Sequence, residues 1–260
     1  MLEIIRSTSN DKIKHMALLQ TAKGRRAENA FPVEGEKMVL EALAAGLKAH
    51  FALVREDCAG LEVAGRLKAC CPCYLCSAPA IARASDAVTP QGIIAAFSLP
   101  EPAARAHQAI VLLDGVQDPG NCGAIWRTCE AAGFDQIVFA GSAADPFSPK
   151  VVRASMGAVF RIPVSRAADA AQAVKDYRAQ GYCVLASSLS GSPFFQRPSA
   201  GKRYVLVIGS EAHGVSQPVL DLADHVLRLP MAGKTESLNA AVAAGIMMYD
   251  LFLKEGKGGC

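Results

Sequence analysis

In the second half of the chain, short apolar runs alternate with stretches of helical character. Residues 109–114, 136–139, 161–164, 182–186, 204–208 and 225–229 have the length and β-branched content of strands. The run Ala109-Ile110-Val111-Leu112-Leu113 shows no polar alternation, as expected of a strand covered on both faces. Helical stretches between such strands predict a mainly parallel sheet with helices on both sides. A last helix, rich in Ala and Met, is predicted from about residue 237 to 253.

The first half reads differently. Residues 11–20 form an amphipathic pattern with Asn10 as candidate N-cap, and Gly35 opens a second helix over 36–45 that Gly46 ends. Extended segments are expected at 30–34, 50–54, 73–76 and 92–97. This alternation predicts a smaller α/β/α domain over residues 1–99. Pro100 and Pro102 mark a linker over 100–108, and a larger α/β domain follows over 109–260.

Composition narrows the class. A chain of 260 residues, 51% hydrophobic and 20% charged, has ample core and is not disordered. Its net charge of +3 permits a polyanionic partner without requiring one. The local balance is more telling: Arg6, Lys12, Lys14, Lys23, Arg25 and Arg26 face only Asp11 before Glu28. No basic start with a long apolar run and cleavage site is visible, and no apolar run is long enough to span a bilayer. A cytoplasmic protein is expected.

Four of the nine cysteines crowd into Cys70-Cys71-Pro72-Cys73-Tyr74-Leu75-Cys76. Cys73 and Cys76 have zinc-knuckle spacing, but no second Cys or His pair follows, and the segment reads as a strand. Structural thiols are the expectation, with no metal.

The chemistry concentrates in three blocks. They are Asp114-Gly115-Val116-Gln117-Asp118-Pro119-Gly120-Asn121 running on to Arg127, then Gly209-Ser210-Glu211-Ala212-His213-Gly214, then Leu229-Pro230-Met231-Ala232-Gly233-Lys234-Thr235-Glu236-Ser237-Leu238-Asn239. Each follows a strand and is rich in Gly, Pro and small polar residues. In open α/β sheets ligands collect beyond the carboxyl ends of strands. A dinucleotide-dependent oxidoreductase would show G-x-G-x-x-G after an early strand, and the first block does not. Taken singly, Asn121 or Ser237 could be a helix cap, Arg127 a surface charge and Glu211 a loop acid.

Taken together, the blocks resemble the signature motifs of the SpoU/TrmH family of RNA ribose 2′-O-methyltransferases, in the SPOUT superfamily. The resemblance implies a trefoil-knotted α/β catalytic domain using S-adenosyl-L-methionine. It implies Asn121, Arg127, Glu211, Ser237 and Asn239 as catalytic residues. For the cofactor it implies Gly209, Leu229, Met231, Gly233 and Leu238, with Ala186 to Leu189 as a further wall. His213 is not assigned a catalytic role. One departure is Ala240-Ala241, where many relatives carry a second hydroxyl.

Residues 33–43 also resemble the L30e/L7Ae-like substrate-binding domain often fused to these enzymes. That makes Lys12, Lys14, Arg25 and Arg26 candidates for RNA contact, joined by Lys150 and Arg153 from a further stretch typical of the family. The implied partners are structured RNA, 23S-type rRNA before tRNA, and a second copy of the chain bound through the catalytic domain. A non-catalytic RNA-binding protein of the same fold is the alternative. The target nucleotide is not legible, nor is whether its methylation serves ribosome maturation or antibiotic resistance.

Overall fold

The computed structural model describes residues 4–100 and 107–256. They form two compact units. The first holds the described residues up to 100 together with Phe147–Phe160; the second holds the remainder.

The first unit contains β1 (Ile4–Ile5), α1 (Asp11–Leu19), α2 (Ala22–Glu28), β2 (Ala30–Glu34), α3 (Glu36–Ala44), β3 (Ala49–Arg55), α4 (Glu62–Cys70), β4 (Cys73–Cys76), α5 (Ala78–Ala84) and β5 (Ile93–Ser98). Its sheet has the order β1-β4-β3-β5-β2; β1, β4 and β3 run parallel, and β5 is antiparallel to both β3 and β2. Asn10 caps α1, accepting from the Lys12 amide at 2.9 Å. Ile13, Met16 and Leu19, three residues apart on one face of α1, are fully buried with Leu53, Ile81 and Ile94.

The apolar pattern did not predict α2, whose Ala-Lys-Gly-Arg-Arg-Ala-Glu sequence has no apolar stripe. Local contacts make it instead. The Thr21 hydroxyl accepts from the Gly24 amide at 3.0 Å, and a Cβ on Gly24 would lie 2.1 Å from the Leu18 carbonyl oxygen. Arg25 is here a correction. It is buried, and its Nη1 donates to the Leu19 carbonyl at 2.8 Å. That carbonyl belongs to the last turn of α1, which has no helical partner of its own. Arg25 therefore closes the α1–α2 turn with its side chain buried, whereas Arg26 is exposed.

The second unit is built on β6 (Ala109–Asp114), α6 (Pro119–Ala131), β7 (Gln136–Ala140), β8 (Val164–Ala167), α8 (Ala170–Ala179), β9 (Cys183–Pro193), β10 (Tyr204–Gly209), α9 (Gln217–Leu220), β11 (His225–Arg228) and α10 (Ala240–Leu251); α7 (Pro149–Ser155) groups with the first unit. The sheet order is β11-β9-β10-β6-β7-β8, and every pairing is parallel. Ile110 and Leu112 of β6 are buried in one cluster with Val174 of α8 and Val219 of α9. The alternate residues Val111 and Leu113 are fully buried too, so β6 is covered on both faces, as its uniform apolar run predicts.

Two strand boundaries differ from the pattern. Pairing of β8 starts at Val164 rather than residue 161, because Arg161 is ion-paired to Glu130 and the Ile162 carbonyl accepts from Trp126 Nε1 at 3.2 Å. Both residues are committed to α6. Strand β9 runs on to Pro193, well past the expected 186.

Of the expected linker, residues 101–106 lie outside the described residues. His107 is already buried, its carbonyl accepting from the Tyr182 hydroxyl at 2.5 Å. The Phe147–Phe160 stretch sits in the first unit because Phe31 takes both ends of it, with ring centroids 4.9 Å from Phe147 and 6.4 Å from Phe160. Among the described residues no helix is long and apolar enough to cross a membrane.

Candidate active site

From β6 the chain runs outward to β7 and β8, then returns to build β9 and β10 on the other side of β6. The strand order thus reverses between β6 and β10, the place where open α/β sheets bind ligands. Asp114 ends β6 directly beside Gly209, which ends β10. The first two sequence blocks therefore emerge side by side. The Asp114 carboxylate ties them further, accepting from the Ser216 amide at 2.8 Å.

The second block folds into a tight loop. Ser210 and Gly214 exchange backbone hydrogen bonds of 3.1 and 2.9 Å, and Gly214 has φ +68°. Inside the loop a Cβ on Gly209 would lie 2.0 Å from both Gly214 C and Val215 N. Gly209 is thus demanded by the loop's own backbone. This packing leaves Glu211 exposed at the tip.

In the first block the cap of α6 is Asp118, not Asn121. The Asp118 carboxylate accepts from the Asn121 amide at 2.7 Å, and Pro119 occupies the first turn. With the capping done by Asp118, the Asn121 side chain is free for another task. In the third block the cap of α10 is Asn239 rather than Ser237. Its Oδ1 accepts from Ala241 N at 2.9 Å and Val242 N at 3.3 Å, so the helix starts at Ala240, later than the pattern suggested.

These two asparagines and Glu211 form one relay. Asn239 Nδ2 donates to Asn121 Oδ1 at 2.9 Å, and Asn121 Nδ2 donates to Glu211 Oε1 at 2.6 Å. The direction is fixed chemically. Asn239 must present its oxygen to the amides of α10, so its nitrogen faces Asn121, which in turn must offer its own nitrogen to a carboxylate. Residues 118 positions apart in sequence are locked together by this chain of donors. Asn121→Asp would place a second carboxylate against Glu211. We expect it to disorder the relay and lower methyl transfer roughly tenfold or more, with little change in thermal midpoint because the relay is exposed; kinetics beside a melting curve check this.

Arg127 lies on α6, exposed, with no hydrogen bond or ion pair to another described residue. It is the cation of the first block still available to a ligand. Ser237 is exposed in the loop before α10 and does not join the relay. Ala186 pairs with Val207 of β10 and with Val226 of β11. Between Ala186 and Ser192 the β9 strand bulges away from β11, since Val226 opposes the former and Leu227 the latter. Beyond Ala186, Leu189 is 66% exposed, and Leu238 of the third block is 37% exposed. Leu229 is buried, Met231 half-buried and Gly233 exposed with open space where a Cβ would stand. Uncovered leucines beside small residues and backbone amides suit a ligand with an apolar, planar part and a polar tail, which the adenine and methionine ends of S-adenosylmethionine provide.

The sequence reading did not find Asp114 and Asp118 as organisers. The N-cap position before Pro119 was a usable signal for Asp118; the Asp114–Ser216 bond needed the strand register. In the first unit it missed a cation–aromatic group. Lys12 Nζ stands 5.8 Å from the Phe51 ring centroid and 5.4 Å from that of Tyr74, and the His15 ring is 5.0 Å from Phe51. Lys14 pairs with Asp11 at 3.6 Å, Arg153 with Asp86 at 3.2 Å, and Lys150 is exposed.

The site is thus an exposed arginine and an Asn–Asn–Glu relay at the reversal point of a parallel sheet, and the class follows from likeness to known proteins: a SpoU-type SPOUT methyltransferase. The chain belongs to the SpoU rRNA methylase family, whose model matches residues 108–249. Residues 10–95 match the MRM3-like substrate binding domain. The chain is 36% identical to the 23S rRNA (guanosine(2553)-2′-O)-methyltransferase RlmP of Bacillus subtilis, over 95% of this chain and 98% of that one. Among solved structures it is similar to the AdoMet-bound rRNA methyltransferase of Sinorhizobium meliloti, with TM-score 0.85, 32% identity, and coverage of 96% and 97%. It is also similar to the AdoMet complex of AviRb from Streptomyces viridochromogenes, with TM-score 0.84, 26% identity, and coverage of 95% and 100%. The chain is an S-adenosylmethionine-dependent RNA methyltransferase with a separate substrate-binding domain.

Proposed function

We propose that this enzyme methylates one ribose 2′-OH of 23S-type rRNA. The observation that carries the reading is the Asn239–Asn121–Glu211 relay at the sheet's reversal point, whose middle member Asn121 lies on the same helix as Arg127. Ala186, Gly209, Leu229, Met231, Gly233 and Leu238 would hold S-adenosylmethionine, which when bound supplies an activated sulfonium methyl. In this reading Arg127 contacts the target phosphate and polarises the 2′-hydroxyl. It does so as a fixed cation, since a guanidinium does not give up its proton. Glu211 and Asn121 hold the surrounding loops in place, and Ser237 orients the ribose once RNA is bound. The knot implied by the resemblance belongs to this proposal. Its support is the likeness to solved SpoU methyltransferases.

Residues 1–99 would form the RNA-gripping domain and 109–260 the catalytic one. Lys12, Lys14, Arg26, Lys150 and Arg153 would take phosphates, with Lys14 and Arg153 exchanging Asp11 and Asp86 for the RNA as it arrives. Tyr74, beneath Lys12, offers a stacking face for an unpaired base. The working compartment would be the cytoplasm, where rRNA is assembled.

The test is incubation with labelled S-adenosylmethionine and unmodified rRNA and tRNA, followed by mapping of 2′-O-methyl sites. One new site in 23S-type rRNA is the expected result. A site confined to tRNA would overturn the substrate assignment, and cofactor binding without transfer to mature RNA or to precursor particles would overturn the catalytic one.

We also propose that a second copy of the chain docks on the last helix. Val242, Ile246, Tyr249 and Leu253 are 52%, 39%, 46% and 71% exposed, and their spacing puts them along one side of α10 and the turn after it. An apolar stripe of this kind marks an interface. The wild type is expected to sediment at twice 27.3 kDa, and Ile246→Glu with Tyr249→Glu at the monomer mass with its circular dichroism unchanged. A wild-type monomer at micromolar concentration would remove the dimer from the proposal.

A further inference from the structure

Cys71 and Cys73 flank Pro72 at the turn from α4 into β4. Cys71 is extended, with φ −154° and ψ 163°, and Cys73 is the first residue of β4. Along extended chain, residues i and i+2 project to the same face, so the two thiols stand side by side. Cys73 Sγ reaches back to the Cys71 carbonyl at 3.6 Å. Both residues are half-buried and open to small solutes.

The chemistry of the pair is unlike that of the deeper thiols. A hydrogen bond from Cys71 and the nearby Lys68 ammonium draw the Cys73 thiol below its ordinary value, and the same contact pushes Cys71 up. Burial raises Cys76 to about 11 and Cys122 to about 12, and it also raises Cys58, Cys129 and Cys183. Cys58, Cys76, Cys122 and Cys129 are also buried, and thiols so enclosed in apolar surroundings are unreactive.

We propose that Cys71 and Cys73 form a peroxide-sensitive dithiol on the substrate-binding domain. The Cys73 sulfur attacks one peroxide oxygen. The O–O bond breaks, the departing hydroxide takes a proton to become water, and Cys73 is left as a sulfenic acid. The Cys71 sulfur then attacks the Cys73 sulfur. The S–O bond breaks, and a second water leaves with the proton from Cys71. Two thiols and one hydrogen peroxide become one disulfide and two waters.

Two residues of extended chain span about 6.6 Å, near the upper end of the Cα separation that a disulfide bridges. Closure needs a small tightening at Pro72 and gives a bond that cellular thiols reduce readily. It would act on the first residue of β4, whose partner in β3 is Ala52, next to the Lys12–Tyr74–Phe51 group.

The test uses the reduced full-length protein. After brief exposure to hydrogen peroxide, free thiols are alkylated and tryptic fragments are sequenced by mass spectrometry. The expected result is a fragment from residues 69–83 that is two hydrogens lighter, linked between Cys71 and Cys73, and restored by dithiothreitol. Differential alkylation of the untreated wild type should find Cys73 roughly tenfold faster than Cys70. Cys71→Ser should stop at a dimedone-reactive sulfenic acid on Cys73, and Cys73→Ser should leave position 71 as a thiol. First oxidation at Cys70 or Cys260, or a bond between chains in place of the 71–73 bond, would overturn the proposal. So would equal alkylation rates at Cys70 and Cys73 in the wild type, a result that needs no variant to fold.

Discussion

Arg127→Ala is expected to lower methyl transfer by about 10²–10³-fold while leaving S-adenosylmethionine affinity and thermal stability unchanged. The side chain is exposed and has no partner among the described residues, so nothing in the fold depends on it. In the proposed role its worth would lie in charge stabilisation, when electron density builds on the ribose oxygen beside a phosphate. Arg127→Lys should recover only a small part of the rate. An ammonium carries the same charge but not the planar fork that can bind phosphate and hydroxyl together. Single-turnover rates, cofactor titration calorimetry and a melting curve on the three proteins separate these effects. A lysine variant within twofold of wild type would show that charge alone suffices. An alanine variant that no longer binds cofactor would move Arg127 from the reaction to the pocket.

Gly209→Ala is the second large effect, and it acts through the backbone. The new methyl would stand 2.0 Å from Gly214 C and Val215 N and 2.3 Å from Gly214 O. All three are backbone atoms of a loop held by the Ser210–Gly214 hydrogen bonds, so no side chain can rotate away. Overpacking at such a point costs about 3 kcal/mol, and relieving it pries open the loop that carries Glu211. Urea denaturation should show a stability loss of that order, and calorimetry should show loss of cofactor binding. Gly233→Ala is the comparison, because open space surrounds the position where its Cβ would stand. It should leave the denaturation midpoint within error of wild type. Equal midpoints for both variants would mean that the second-block loop can shift freely, and that Gly209 is not under steric demand.

The candidate site was legible in part because its residues follow strands directly. Asp114 and Gly209 end β6 and β10, and a strand end followed by Gly or Pro is a local signal that needs no tertiary knowledge. Roles were less legible than positions. Asn121 and Asn239 have the same side chain, yet one is an inner residue of α6 and the other caps α10. Capping depends on which neighbouring oxygen reaches the free amides first. Asp118 wins over Asn121 in one case and Asn239 over Ser237 in the other, by a shift of three and two residues. Arg25 shows the same limit with charge. Pattern places it in a basic stretch with Arg26, but the helical step of about 100° per residue in α2 turns Arg25 inward to a carbonyl and Arg26 outward to water.

By itself, the sequence determined the two α/β units, the parallel character of the second sheet, the buried central strand and the three blocks that name the family. All of these are written in runs of adjacent residues, through apolar length, side-chain period and the needs of turns. Only the tertiary structure decided that β10 returns beside β6, that Asn239, Asn121 and Glu211 share one line of hydrogen bonds, that residues 147–160 pack with Phe31, and that Arg25 is buried. The first three join groups far apart in the chain, and the last turns on a carbonyl six residues away; all are settled by packing and by the pairing of donors with acceptors once the elements meet.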